Sequence, residues 1–241
     1  MPSATSEKAS QPGECGEGKL SCCAARTSGP ESPEPATTSR AGTTFAAIRE
    51  FKKLAELHSP HAAPAAEFAV RNASEADMPA VRRIYAHYVL NALATFEETP
   101  PSLEDMMARR RRSLDIGAPY LVAEMQGRIV GYCYASPYHT RPAYRYTLED
   151  SVYVADGLNR RGLGAALLGE LIQRCEAGRW RQMVAIIGDS SNHASIALHR
   201  RFGFKHVGTL RAVGFKFGRW VDTPLMQRAL GAGERSPLGA L

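Results

Sequence analysis

The residues with the clearest chemical potential lie in Asp150-Ser-Val-Tyr-Val-Ala-Asp-Gly-Leu-Asn-Arg-Arg-Gly-Leu-Gly-Ala165, a strand-like run followed by a loop and a helix start. Gly162 and Gly164 let backbone approach a ligand, and the N–H groups around Leu163 and Ala165 are those a helix start leaves unpaired. Arg160 and Arg161 add positive charge. The chemistry implied is the cradling of a diphosphate. A Gly-x-Gly before a helix is just as often a tight turn, so this run alone does not decide. Two familiar phosphate loops are excluded. A dinucleotide fingerprint needs a third glycine where Leu167 stands, and a Walker loop needs Gly-Lys-Ser/Thr, whereas no lysine occurs between Lys53 and Lys205. The five cysteines contain no C-x-x-C pair and the histidines show no ligand spacing, so neither a metal nor a disulfide framework is expected. Cys133 and Cys175 read as buried free thiols.

The diphosphate loop needs a frame. Phe68–Asn72 alternates like a short strand, and Ser74-x-x-Asp77 resembles a capping box opening a helix through Asn91. Ser102-x-x-Asp105 starts a second helix, in which the run Arg109–Arg112 is expected to form a solvated face. Tyr120–Met125 and Ile129–Ala135, joined through Gln126-Gly127-Arg128, predict a β-hairpin. Thr147–Ala155 reads as a strand, Leu163–Ala177 as a helix, Met183–Ile187 as a buried strand and Asn192–Phe202 as a helix. Two more strands are expected between Val207 and Leu230 around Gly218. This order predicts an α/β domain built on a single mixed central sheet flanked by helices.

Composition sets the boundaries. Residues 1–44 hold 7 Ser, 6 Thr, 5 Pro and 5 Gly with Met1 and Leu20 as the only large apolar side chains, too little to offset chain entropy. A disordered tail is therefore expected over 1–65, with helical spacing at 45–57 (FAAIREFKKLAEL); a misassigned translation start would also explain it. The folded domain is expected over 66–231, with a short C-terminal tail at 232–241. Residues 1–65 carry seven charges of each sign, so the net +6 belongs to the rest of the chain. That suits an anionic small ligand; no long basic stripe with interleaved aromatics argues for nucleic acid. No apolar run is long enough to span a membrane, and no signal-like start is present, so a cytoplasmic protein with no membrane partner is expected.

A second motif, Asn192-x-x-Ser195-x-x-Leu198-His199-x-x-Phe202-Gly203-Phe204, follows the diphosphate loop after one strand. Together the two resemble the coenzyme A cleft of the GNAT acetyltransferases, which implies the GNAT fold and acetyl-CoA as co-substrate. Asn159 stands where that family commonly has Gln or Arg. A closer resemblance, to the phosphinothricin N-acetyltransferase group, rests on Thr95-Phe96-Glu97, Tyr134-Ala135, Arg141-Pro-Ala-Tyr144, Glu149-x-Ser151-Val-Tyr-Val154, Val184-Ala-Ile-Ile-Gly188 and Gly208-Thr-Leu-Arg211-x-x-Gly214-x-Lys216-x-Gly218-x-Trp220-x-Asp222. It runs from about 68 to 230, and nothing in the tail shares it.

The resemblance implies roles. Glu149 would be the general base that neutralises an ammonium before attack, and His199, where many relatives have Tyr, would protonate the departing thiolate or assist the base. Val152, Tyr153 and Val154 would hold the pantetheine arm and supply an oxyanion donor. Arg160, Arg161, Gly162, Leu163, Gly164, Ala165 and Asn192 would complete the cofactor site. Arg141 and Tyr144 would hold an acidic or tetrahedral head group, with Phe96 as a wall. Lys216, Trp220 and Asp222 fall in C-terminal strands that suit a homodimer contact. The expected function is acetylation of the amino group of a small amino acid analogue of the phosphinothricin or methionine sulfoximine kind. The alternatives are a protein or peptide N-acetyltransferase, and a non-catalytic acetyl-CoA sensor, which would have no need of Glu149 and His199.

Overall fold

The computed structural model describes residues 68–235. The expected tail at 1–65, its helical segment at 45–57 and the end of the C-terminal stretch lie outside the described residues. Within them the order is β1 (Phe68–Asn72), a 3-10 turn (Glu75–Asp77), α1 (Met78–Asn91), α2 (Leu103–Asp115), β2 (Tyr120–Met125), β3 (Arg128–Pro137), a 3-10 turn (Pro142–Tyr144), β4 (Thr147–Val154), α3 (Leu163–Glu176), β5 (Gln182–Ile186), α4 (His193–Arg201), β6 (Lys205–Lys216) and β7 (Arg219–Ala229). The expected mixed sheet is present as one seven-stranded sheet in the order β1-β2-β3-β4-β5-β7-β6. Only the central β4–β5 pair is parallel.

Local chemistry sets the element ends. The first helix begins later than its Ser74 box suggests, because Pro79 has no N–H to offer the Glu75 carbonyl. Met78 N–H takes that carbonyl instead, closing a 3-10 turn before α1. Asp77 accepts from the Ser74 N–H and hydroxyl at 2.7 and 2.8 Å. At α2 the reciprocal box forms as expected, with Asp105 N–H donating to Ser102 Oγ and Ser102 N–H to Asp105, each at 3.0 Å. The β2–β3 hairpin turns through Gln126 and Gly127, both at positive φ (51° and 73°), as a two-residue turn matching strand twist requires.

Each sheet face carries its own core. Leu148, Leu163, Leu167, Leu168, Leu171, Met183 and their neighbours pack α3 against one face, with Ile196 and Leu198 of α4 joining them. Met78, Val81, Tyr85, Val89, Met106, Tyr120 and Tyr132 pack α1 and α2 against the other. Side chains alternate along β4, so Leu148, Asp150, Val152 and Val154 belong to the α3 side and Glu149, Ser151 and Tyr153 to the α1 side. The arginine run is not a plain solvated face, which corrects the expectation. Arg109 makes two bonds to Glu97 (2.7 and 3.1 Å), and Arg110 donates twice to the Ala73 carbonyl. The expected outward face is confined to Arg111 and Arg112, which are exposed.

The α1–α2 loop is strapped down over the C-terminal end of β5. Lys216, buried in β6, donates to the Ala92 and Thr95 carbonyls at 2.9 and 2.8 Å. Tyr85 Oη bonds Thr95 and Glu97 at 2.8 and 2.9 Å. Gly188 passes directly beneath the loop: a Cβ there would collide with the Leu93 carbonyl oxygen. Gly188→Ala is therefore expected to lose about 1–3 kcal/mol of stability by thermal unfolding. Gly208→Ala, at a position open around its Cβ, is expected to leave the midpoint within about 1 °C.

Candidate active site

The central feature is a gap in the sheet. The parallel ladder between β4 and β5 ends at Asp150 and Ala185, although β4 runs on to Val154. The edge of Ser151–Val154 facing away from β3 is left without a strand partner. A cleft of about 1090 Å³ opens there, walled by Ser151–Val154, the β5 end at Ala185–Gly188, and Asn192, Ser195 and Leu198 of α4. The α1 C-terminus roofs it, and Tyr88 Oη donates to the Val154 carbonyl at 2.7 Å.

At one end the cleft meets the start of α3. Gly162, at φ 81°, caps the helix without a side-chain partner. Ala166 N–H is the first to bond within the helix, to the Gly162 carbonyl at 2.9 Å. The N–H groups of Leu163, Gly164 and Ala165 thus point from a helix N-terminus into the cleft wall, the arrangement that attracts an anion. Arg160 lines the same wall; Arg161 is exposed and lies off it. The two glycines differ in purpose. Gly162 supplies a left-handed turn, whereas a Cβ on Gly164 would meet Leu198 Cδ2 at 3.4 Å and Val154 Cγ2 at 3.9 Å, the two sides of the cleft. Asn192 lines the cleft and caps α4, its side chain accepting from Ser195 N–H at 3.1 Å.

The two residues expected to move protons lie on opposite sheet faces. Glu149 faces the α1 side, where burial, and then the negative charge of Asp150, push its carboxyl up to about 7. That value suits a base working near neutral pH. His199 lies on the α3 side with both ring nitrogens engaged: Nε2 is 2.9 Å from Asp150 Oδ2, and Nδ1 is 2.8 Å from the Ser195 carbonyl. Burial draws its basicity down, but the bond and charge of Asp150 outweigh that and the net direction is up. The sequence motif gave no sign of Asp150 as a partner, though a lone carboxylate among the apolar side chains of that strand face was a usable signal.

The residues expected to hold the amine substrate do not line this cleft. Arg141 and Tyr144 are exposed in the β3–β4 loop, before β4, whereas the diphosphate loop follows it. Phe96 lies on the α1–α2 loop against Gly214 of β6, where a Cβ would come within 2.5 Å of its ring. The brace that holds this loop (Tyr85, Glu97, Arg109 and Lys216) went unrecognised in the sequence because its members are scattered from residue 85 to 216. No group of His, Cys, Asp and Glu among the described residues could hold a metal ion, and no helix there is long and apolar enough to cross a membrane.

A family model for the GNAT acetyltransferase domain matches residues 70–225. The chain belongs to the GNAT acetyltransferases. Among relatives, it is 54% identical over 165 residues to a phosphinothricin N-acetyltransferase of Alcaligenes faecalis, covering 68% of this chain and 84% of that one. It is 40% identical over 169 residues to an L-methionine sulfoximine/L-methionine sulfone acetyltransferase of Pseudomonas aeruginosa, covering 70% and 98%. Among solved structures, a GNAT superfamily phosphinothricin acetyltransferase of Sinorhizobium meliloti in complex with AcCoA superposes with a TM-score of 0.70 at 45% identity, covering 73% of this chain and 95% of that one.

Within this GNAT domain, the elevated Glu149 carboxyl has a cost with a definite sign. Between pH 4.5, its ordinary value, and about 7 the folded state keeps a proton that the unfolded chain releases, so this group lowers stability as pH rises through that window. The penalty is complete above pH 7 and on the order of 3 kcal/mol. Glu149→Gln keeps the shape without the buried charge. It is expected to melt higher than the wild type at pH 8, the difference vanishing towards pH 4.5.

Proposed function

We propose that this chain transfers the acetyl group of acetyl-CoA to the amino group of a small amino acid analogue of the phosphinothricin or methionine sulfoximine kind. The observation that carries this is the continuity of the unpartnered Ser151–Val154 edge with the free N–H groups of α3 in a single cleft. A pantetheine arm needs the first and a diphosphate the second, so the residues present fit acetyl-CoA. The names of the relatives support the substrate class.

Bound there, acetyl-CoA supplies a thioester, an acyl group already activated toward an amine. Leu163, Gly164, Ala165 and Arg160 hold its diphosphate, with Arg161 adding charge from outside the wall and Asn192 fixing the start of α4. Val152, Tyr153 and Val154 offer backbone hydrogen bonds along the arm, and one of these N–H groups steadies the developing oxyanion. Glu149 takes the ammonium proton. His199 provides the proton that the leaving sulfur requires. Arg141 and Tyr144 grip the acidic head group and Phe96 walls the pocket. The 66–231 stretch is the catalytic domain, with 1–65 and 232–241 outside it.

Thiol release measured with acetyl-CoA and phosphinothricin, methionine sulfoximine or methionine sulfone tests the reading. Turnover is expected to rise with pH through an apparent pKa near 7, and Glu149→Gln to lose it by about 100-fold or more. A peptide panel outcompeting these amines would favour the protein-acetylating alternative. Acetyl-CoA binding with no turnover of any amine would favour the sensor.

The protein forms a homodimer through the outer hairpin in this reading. Val207, Leu210, Val213, Phe215, Phe217 and Trp220 of β6, β7 and their turn are all about half exposed or more, Trp220 at 68%. Large apolar side chains exposed in this number on one hairpin are costly on a monomer. Trp220→Glu is expected to convert a dimer to a monomer in light-scattering chromatography; a wild type that elutes as a monomer rejects the dimer.

A further inference from the structure

We propose that Asp150 is a positioning residue that keeps a proton on His199, making the pair a buried proton store on the cofactor side of the sheet, separated by β4 from the base Glu149. This rests on the acetyltransferase reading for its use in turnover, but not for the protonation state itself.

The geometry favours a doubly protonated ring. The Ser195 carbonyl can only accept, so its 2.8 Å contact with His199 Nδ1 is satisfied by an Nδ1–H, the Ser195 hydroxyl lying farther from the same nitrogen at 3.3 Å. Nε2 faces Asp150 Oδ2 at 2.9 Å. An Nε2–H donating to the carboxylate matches this distance and, with the hydrogen on Nδ1, leaves the ring doubly protonated. The pair is buried except where it meets the cleft: the side chains are 5% and 1% exposed, and Phe204 packs edge-on against the ring at 5.0 Å. The other ionisable groups under the influence of Asp150 are Cys133 on β3 and Cys175 on α3, both thiols held neutral chiefly by burial. Glu149 lies across the strand and feels the charge of Asp150 as well. Asp150 Oδ1 is buried without a partner, a deficit tolerable only where Oδ2 is strongly engaged.

Position gives the store its purpose. Asp150 forms the last rung of the β4–β5 ladder, and both Asp150 and His199 line the cleft. Acetylation removes two protons from an ammonium. Glu149 passes these to solvent, the C–S bond breaks as the C–N bond forms, and the sulfur receives the proton of the His199–Asp150 pair. Solvent then refills the pair, so one proton is released per turnover. Adjacent residues 149 and 150 point to opposite sheet faces, so base and acid cannot neutralise each other directly.

Nitrogen-15 NMR of the ligand-free protein tests the store apart from catalysis. At pH 7 the His199 ring is expected to carry hydrogens on both nitrogens and to titrate above the ordinary histidine value. Asp150→Asn, nearly the same shape, is expected to move that titration below the ordinary value and to lower kcat on the order of 100-fold, with KM for acetyl-CoA within about twofold. His199→Gln is expected to match that kcat loss, and the double variant to add nothing. A neutral His199 ring at pH 7 overturns the proposal. So does an Asp150→Asn protein with unchanged titration, or one whose KM and kcat worsen together as for a purely structural loss. A doubly protonated ring in a protein that acetylates no amine would instead refute the proposed function and leave the protonation state standing.

Discussion

Two neighbouring parallel strands that stop pairing halfway are the constraint on which the rest of this molecule depends. The backbone of a strand must bond something, and the Ser151–Val154 edge is deprived of its partner when β5 ends at Ile186. Such an edge is a liability in a sheet interior unless a ligand or another segment completes it. Here the gap is kept open from both sides. Leu163 and Leu167 root α3 in the core of one face, and the strapped α1–α2 loop closes over the other. The cleft wall is thereby largely backbone, the open strand edge on one side and the start of α3 on the other.

The strapping has an electrostatic consequence. Lys216 carries its ammonium into a nearly dry site, where burial lowers its basicity and only two carbonyls receive it. Glu97 is satisfied by Arg109 and Tyr85. The charged groups of that brace are thus paired within it, and Glu149 is left with no cation bonded to it among the described residues. Its raised value follows from this isolation, and it is what a carboxylate needs in order to take a proton from an ammonium at neutral pH. Stability given up at Glu149 leaves a carboxyl that titrates near neutral pH.

The alternation of β4 divides its side chains, the two carboxyl groups among them, between the two sheet faces. Glu149, Ser151 and Tyr153 look towards α1 and α2; Asp150, Val152 and Val154 look towards α3 and α4. A one-residue slip would exchange the faces, setting Glu149 in place of Asp150 among Leu163, Leu167 and Leu168 and turning Leu148, Val152 and Val154 away from them. The tight register of β4 with β3, from Gly131–Val154 to Pro137–Leu148, guards against that slip. Gly131 is part of the same device, since a Cβ there would press on Leu167 and on the Tyr153 carbonyl at 3.0 and 3.1 Å.

The sequence by itself determined the elements and their kind. Caps at Ser74 and Ser102, the Gln126-Gly127 turn and the Arg160–Ala165 helix start are local chemistry, decided within a few residues, and all but the first helix start fall where they were expected. The cleft wall around Arg160–Ala165 was legible for the same reason: a helix start and its glycines are contiguous in the chain. What tertiary structure alone decided is everything joined across distance. Lys216 reads as a strand residue until it reaches Ala92 and Thr95, Arg109 reads as solvated until Glu97 meets it, and His199 reads as a free acid until Asp150 and Ser195 take both its nitrogens. Hydrogen bonds and burial act over a few ångströms in space, whereas spacing along a chain reports only what one helix turn or one strand can bring together.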